Sequence, residues 1–123
     1  MSKPILISTA DPALHSSNLQ REFQDMHGNK VSVMRSSSNH FVLLDDQPVL
    51  YSENFATRLW RLARIPQEAM AECVNLLKNL STDLPSGKSF EIIEINAKPA
   101  ANCKLAEVFL QNGFERDGTK LVL

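Results

Sequence analysis

The last 34 residues, FEIIEINAKPAANCKLAEVFLQNGFERDGTKLVL, constrain the fold more than any other stretch of this chain. They open on an apolar run over residues 90–95, the pattern of a strand. A polar break over 96–102 follows. Leu105, Ala106, Phe109 and Leu110 then recur at helical spacing, which predicts an amphipathic helix over 103–112. Gly113 stands where a helix C-terminus wants a left-handed residue, and Phe114 beside it is the apolar partner such a cap uses. Residues 120–123 predict a closing strand. Free ends usually fray, so a run of Leu-Val-Leu there predicts an end packed into the sheet.

At 123 residues the chain is expected to form a single domain over 1–123. A domain of this size buries roughly two-thirds of the surface its unfolded chain exposes, enough for a core without disulfides or metal. The net charge of −1 excludes nucleic-acid binding driven by bulk charge, so any such contact must come from a local patch. Cys73 and Cys103 both fall on the apolar stripes of predicted helices and read as reduced core thiols. No apolar run approaches the roughly 20 residues of a membrane span. The N-terminal apolar run is broken by Ser8 and Thr9, too soon for a signal peptide. The expectation is a cytoplasmic protein with no membrane partner.

Further elements come from local pattern. Residues 4–8 read as a strand, and Asp11-Pro12 as a turn or helix start. Leu19 and Phe23 lie four apart, which predicts a helix over 16–25. Gly28-Asn29 signals a turn, Val31 and Val33 a short strand or an extended arm, and residues 36–39 a flexible polar loop. The clearest hairpin is the apolar run 41–44, the turn Asp45-Asp46-Gln47, and the apolar run 48–51. A third strand is expected over 59–62 after the loop 52–54. Pro66 opens a helix through Leu80, with Ala69, Met70, Cys73, Val74, Leu76 and Leu77 as its apolar face. Residues 81–89 form a polar connector. The order predicts an α+β domain: a mostly antiparallel sheet with two or three helices packed on one face.

Chemistry is sparse. Ser86-Gly87-Lys88-Ser89 ends like a phosphate-binding loop, but Thr82 stands where the motif needs glycine, and helix and strand come in reverse order. His15, His27 and His40 are scattered, with no Cys or acid at ligand spacing. Asp45-Asp46 is a pair of carboxylates at a hairpin tip. No catalytic constellation, metal site or cofactor is expected. One segment stands out, Thr57-Arg58-Leu59-Trp60-Arg61-Leu62-Ala63-Arg64, which sets three arginines around the only Trp. As a strand it puts Arg58, Trp60, Leu62 and Arg64 on one face. Trp60 can then stack a single-stranded base while Arg58, Arg61 and Arg64 meet phosphates. The competing reading makes Trp60 a packing residue with its arginines reaching to water.

Three segments taken in order resemble one family. They are residues 4–8 running to Asp11-Pro12-Ala13, the hairpin 41–51, and Leu105-Ala106-Glu107 followed by Gly113-Phe114 and 118–123. At this spacing they resemble the last domain of the helicase core in Lhr-type large helicases, ATP-dependent enzymes of superfamily II related to the DEAD/DEAH-box group. The resemblance spans nearly the whole chain and is weakest over 14–39. The chain departs from the family pattern at Leu14, where the family usually has Asn. It has Asp46 in place of the hairpin glycine, Phe55-Ala56 in place of a Gly-Gly pair, and Cys103 in place of a Ser. The resemblance implies a non-catalytic accessory domain that helps hold a single strand of DNA or RNA and braces helicase motor domains in cis or in trans. The RecA-like domains that hydrolyse ATP in that family have no counterpart in these residues. The alternative is a stand-alone protein-interaction or chaperone-like α+β module, dimeric in one version of that reading.

Overall fold

Leu50 and Tyr51 are sequence neighbours, yet both are buried, so the strand that carries them is covered on its two faces. The computed structural model, which describes residues 3–11, 23–84, 87 and 89–123, shows how. A six-stranded sheet takes the order β1 (Ile5–Ser8), β4 (His40–Leu44), β5 (Gln47–Glu53), β6 (Arg58–Arg61), β8 (Glu94–Ile95), β9 (Lys98–Pro99). All its pairings are antiparallel except β6 with β8. A parallel pair needs a long crossover, and the chain between β6 and β8 supplies one that carries helix α1 (Gln67–Lys78). A second sheet joins β10 (Glu115–Asp117), β11 (Lys120–Val122) and β7 (Glu91–Ile92). A third is the two-stranded hairpin of β2 (Phe23–Gln24) and β3 (Lys30–Val31). The domain is α+β and mostly antiparallel, with one mixed sheet. Its described helices are the long α1 and the short α2 (Ala106–Gln111), so the expected two or three comes down to one long and one short.

The two faces of β4 and β5 feed two cores. Val42, Leu50 and Leu59 join Cys73, Val74 and Leu77 of α1, Ala106 and Phe109 of α2, and Ile92, Ile95 and Leu121 of the tail. Phe41 and Tyr51 join Phe23 and Val31 of the hairpin on the other face, with Ile7, Leu43, Trp60 and Leu62 packed around them. A register shift keeps this sorting. Val42 pairs with Leu50 but Leu43 pairs with Pro48, so Val49 is an extra residue on β5. The bulge lets Val49 and Leu50 both enter the larger core.

The expected helix over 16–25 is corrected at its C-terminal end, while residues 16–22 lie outside the described residues. Phe23 packs its ring 5.2 Å from Phe41, and Asp25 turns the chain. One Asp25 carboxylate oxygen accepts from the amides of His27 (2.8 Å) and Asn29 (2.9 Å), and Gly28 takes the left-handed backbone the turn needs. Pro12 and Ala13 also lie outside the described residues. The loop 36–39, expected to be flexible, is tied down. Buried Thr9 accepts from the Ser36 amide at 2.9 Å and donates to the Ser36 carbonyl at 3.0 Å. Buried Asn39 donates to the Met34 carbonyl at 2.9 Å.

The tail keeps its order but not its bounds. The single strand expected over 90–95 divides into β7 and β8. Phe90 and Ile92 share one parity and Ile95 the other, so no regular strand buries all three on one side. The chain changes sheets at Ile93, which is 42% exposed and donates to the Thr57 carbonyl at 2.8 Å. The polar break 96–102 is a hairpin turn at Asn96-Ala97, the short β9, and a 3-10 turn over Ala100–Asn102. That turn delays α2, which begins at Ala106 rather than 103. Cys103 is extended and only partly buried, before the helix rather than on its stripe. The cap is as expected. The Phe114 amide donates to the Phe109 carbonyl at 3.1 Å, Gly113 holds φ +100°, and the two Phe rings meet edge to face at 5.2 Å. Lys78 of α1 completes it with a 2.8 Å bond to the Asn112 carbonyl. Of the closing strand, Leu121 is fully buried, but Leu123 is 47% exposed. The remaining strand shifts are small: the third strand covers 58–61 rather than 59–62, and Ser52 and Glu53 belong to β5 rather than to a loop.

Left-handed backbone carries two opposed predictions. The β4–β5 turn holds Asp45 at φ 54° and Asp46 at φ 64°, the two-residue turn that favours glycine second. Asp46→Gly is expected to raise stability by about 0.5–1 kcal/mol. At Gly113 a Cβ meets nothing closer than Lys78 Nζ at 3.6 Å, so space is not the issue and backbone strain alone acts. Gly113→Ala is expected to lower stability by about 1 kcal/mol or more. Urea midpoints that move the same way in both variants would refute this account.

Candidate nucleic-acid interface

Strand β6 alternates between the two cores, and its register sorts the arginines. Arg58 sits opposite Glu53, Leu59 opposite Ser52, Trp60 opposite Tyr51, and Arg61 opposite Leu50. Arg58 and Trp60 therefore share the aromatic face, while Arg61 lies on the other face with fully buried Leu59. Arg64 falls beyond the end of β6, so the expected single face through Arg58, Trp60, Leu62 and Arg64 is corrected to Arg58, Trp60 and Leu62.

Trp60 ends a row of rings across the sheet. Phe23 lies 5.2 Å from Phe41, Phe41 5.6 Å from Tyr51, and Tyr51 5.5 Å from Trp60, the last pair stacked at 25°. Such pairs add about 0.5–1.5 kcal/mol each beyond area burial. Trp60 is thus a packing residue, and as the last ring of the row it also keeps part of its surface in solvent. Beneath it the Tyr51 hydroxyl accepts from the Met34 amide at 3.1 Å and donates to Glu53 Oε2 at 3.3 Å.

The three arginines differ. Arg58 is exposed and paired with Glu53 (3.4 Å) and Glu94 (3.5 Å), so a phosphate there competes with two carboxylates. Exposed pairs of this kind are worth about 0–1 kcal/mol, a small cost to exchange. Arg61 is partly buried. Its amide donates to Asn96 Oδ1 at 2.9 Å, its carbonyl accepts from the Met26 amide at 3.2 Å, and its buried Nε has no hydrogen-bond partner. Arg64 is exposed in the loop before Ile65. The structure brings Arg58 and Trp60 together on one face and holds Arg61 and Arg64 apart from them.

Asn96 escaped the sequence reading, which placed it in a polar break. Its one visible signal is that Asn takes left-handed backbone readily, and it does so here at φ 56°. Its side chain is what ties β8 to Arg61.

Other groups are chemically quiet. Burial, with Glu72 adding to it, pushes the Cys73 thiol up to about 11, so it stays protonated at neutral pH. Among the described residues no three His, Cys, Asp or Glu side chains gather in the manner of a metal site. No helix there is long and apolar enough to cross a membrane. Of the Gly-Lys-Ser sequence, Gly87 holds φ +85°, while Lys88 lies outside the described residues. Comparison with protein-family models, curated proteins and solved structures finds no match to this chain.

One buried polar pair faces the larger core. His40 and Ser52 are cross-strand partners in β4 and β5, 8% and 0% exposed, and His40 Nδ1 and Ser52 Oγ have no hydrogen-bond partner. Burial pushes the His40 imidazole below its ordinary 6.5, against the pull of Asp83 and the Ser38 backbone. The fold therefore holds fewer protons than the unfolded chain as pH falls through this range. The resulting stability is full above 6.5 and is lost on acidification toward the folded-state value. Urea midpoints are expected to fall between neutral pH and the acid side of the imidazole range, and His40→Leu is expected to flatten that slope. Equal slopes in the two proteins would exclude His40 as the cause.

Proposed function

We propose that this domain binds single-stranded nucleic acid along β6 and serves as a non-catalytic accessory domain beside the motor domains of an Lhr-type helicase. The observation that carries the reading is Trp60, partly exposed at the end of the aromatic row, with Arg58 on the same face. A ring held rigid by Tyr51 offers a stacking surface at low entropic cost, and stacking tolerates any base. Arg58 and Arg64 are exposed for phosphate contact.

The backbone supports the family reading at the positions where the sequence departs from it. Asp46 stands in place of a glycine and Phe55-Ala56 in place of a Gly-Gly pair, and all three hold positive φ, 64°, 53° and 66°. Left-handed residues cost roughly 1–2 kcal/mol each away from glycine. Here Asn39 Oδ1 accepts from the Asn54 amide at 2.9 Å, the Ser38 carbonyl from the Phe55 amide at 2.8 Å, and Ala56 is fully buried. A glycine-type conformation kept after its glycines are gone fits descent from the resembled pattern. The motor domains, in cis or in trans, supply ATP hydrolysis in this reading, and the setting is cytoplasmic.

The interaction-module alternative rests on a different place. β1 is an edge of the six-stranded sheet, and its Ile5 is 57% exposed. Sheet-edge association would appear as a dimer that Ile5→Lys dissolves.

The test is binding of fluorescently labelled single-stranded DNA and RNA across a salt series. Affinity is expected to fall steeply with salt, and Arg58→Glu and Arg64→Glu each to weaken binding and to lower the salt slope by about 1. Trp60→Leu is expected to weaken binding roughly tenfold without changing that slope, provided circular dichroism shows the fold intact. Absence of salt-dependent binding even at low salt would sink the strand-binding reading.

A further inference from the structure

Two turns face each other across a cavity of about 370 Å³ beside β6. One belongs to the β2–β3 hairpin and contributes Asn29. The other belongs to the β8–β9 hairpin and the 3-10 turn after it, and contributes Ile95, Asn96, Lys98, Pro99 and Asn102. Both walls hang on the same residue. The hairpin turn is tied by the Met26 amide to the Arg61 carbonyl at 3.2 Å, and the opposite turn by Asn96 Oδ1 to the Arg61 amide at 2.9 Å. The cavity is therefore built onto the strand that carries the proposed nucleic-acid track.

Its chemistry suits a flat ring with polar edges. Exposed Pro99 gives apolar surface against which a ring can lie, over the buried Ile95. Three carboxamides supply donors and acceptors, two of them held by hydrogen bonds, and a carboxamide is the group that pairs two adjacent atoms of a base edge. Their commitments differ. Asn96 spends its carbonyl oxygen on Arg61, which leaves its amide nitrogen as a donor. Asn29 Nδ2 donates to Asp25 Oδ2 at 3.2 Å, which leaves its carbonyl oxygen as an acceptor. Exposed Asn102 can turn either way. The volume lies within the range of small-ligand sites, roughly 300–1,000 Å³. Lys98, exposed on β9, puts an ammonium at the rim for a phosphate. The nearby Asp25 carboxylate faces its own loop. Burial alone would raise it, but the Asn29 and His27 amides and the Asn29 carboxamide hold it below 3.8, ionised and hydrogen-bonded inward.

We propose that this cavity takes one base of the single strand bound along β6, its edge read by Asn29, Asn96 and Asn102 and its phosphate met by Lys98. The inference rests on the strand-binding reading and deepens it, because it adds base preference to a surface that otherwise stacks any base. Asn102 has both ends of its carboxamide uncommitted and can pair two-fold with adenine, so the preferred base is adenine.

The test compares labelled oligodeoxyadenylate with oligodeoxythymidylate, and follows alkylation of Cys103, which also lines the cavity, while Cys73 stays buried. The full chain is expected to prefer the adenylate by roughly tenfold, and Asn102→Leu to erase that preference while leaving the salt slope unchanged. Oligodeoxyadenylate is expected to slow Cys103 alkylation. Strand binding with no base preference and no protection of Cys103 would overturn the cavity proposal and leave the β6 track standing. If the chain binds no strand at all, adenosine monophosphate decides the cavity separately. Protection of Cys103 that Asn102→Leu removes would keep it as a nucleotide site, and no protection would overturn it.

Discussion

Leu50 and Tyr51 enter different cores from adjacent positions, and the double burial of β4 and β5 governs the rest of the molecule. A strand covered on one side needs one partner layer. A strand covered on both needs two, and this chain supplies helices for one face and a small hairpin for the other. The bulge at Val49 is the adjustment that lets β5 do this, because it slips the register once without reversing the faces already set at Phe41–Tyr51. Without the hairpin over Phe41 and Tyr51, the aromatic row would lie open on a flat sheet.

That arrangement also sets the character of the candidate interface. The row of rings ends at Trp60, which packs against Tyr51 and keeps part of its surface in solvent. The same strand's alternation sends Arg61 to the opposite face, where its backbone anchors two turns at once. One strand thus presents a stacking ring and an exposed arginine on one side, and carries the walls of a cavity at its end. The near-neutral net charge is consistent with such a local device, since Glu53 and Glu94 already offset Arg58 at rest.

Much of the fold was legible wherever a short-range signal decided the matter. The β4–β5 hairpin, α1 with its Ala69, Cys73, Val74 and Leu77 stripe, and the Gly113-Phe114 cap each follow from residues within a few positions of one another. Where the reading failed, a distant contact outweighed local pattern. Phe23, four after Leu19, read as helical, but its place against Phe41 puts it in a strand. The run 90–95 read as one strand because four of its six residues are Phe or Ile, whereas its two halves answer to different sheets. The candidate site was half legible. The Arg-Trp-Arg pattern and the alternation that sets Arg61 apart from Trp60 are visible in the string, but the pairing of Arg58 with Glu94 and the role of Asn96 depend on strands about 35 residues apart, as the Arg61–Asn96 bond shows.

The sequence by itself determined the class of domain, the main hairpin, the long helix, the cap that closes the short one, and the strand that carries the tryptophan between two arginines. Those follow from periodicity, turn chemistry and capping, all interactions of near neighbours. Only the tertiary structure decided which face each side chain takes, that Trp60 is both packed and partly open, and that two turns close a cavity on Arg61. Those depend on register and on which layer covers which face, and register is settled by pairing between distant strands rather than by the residues of any one of them.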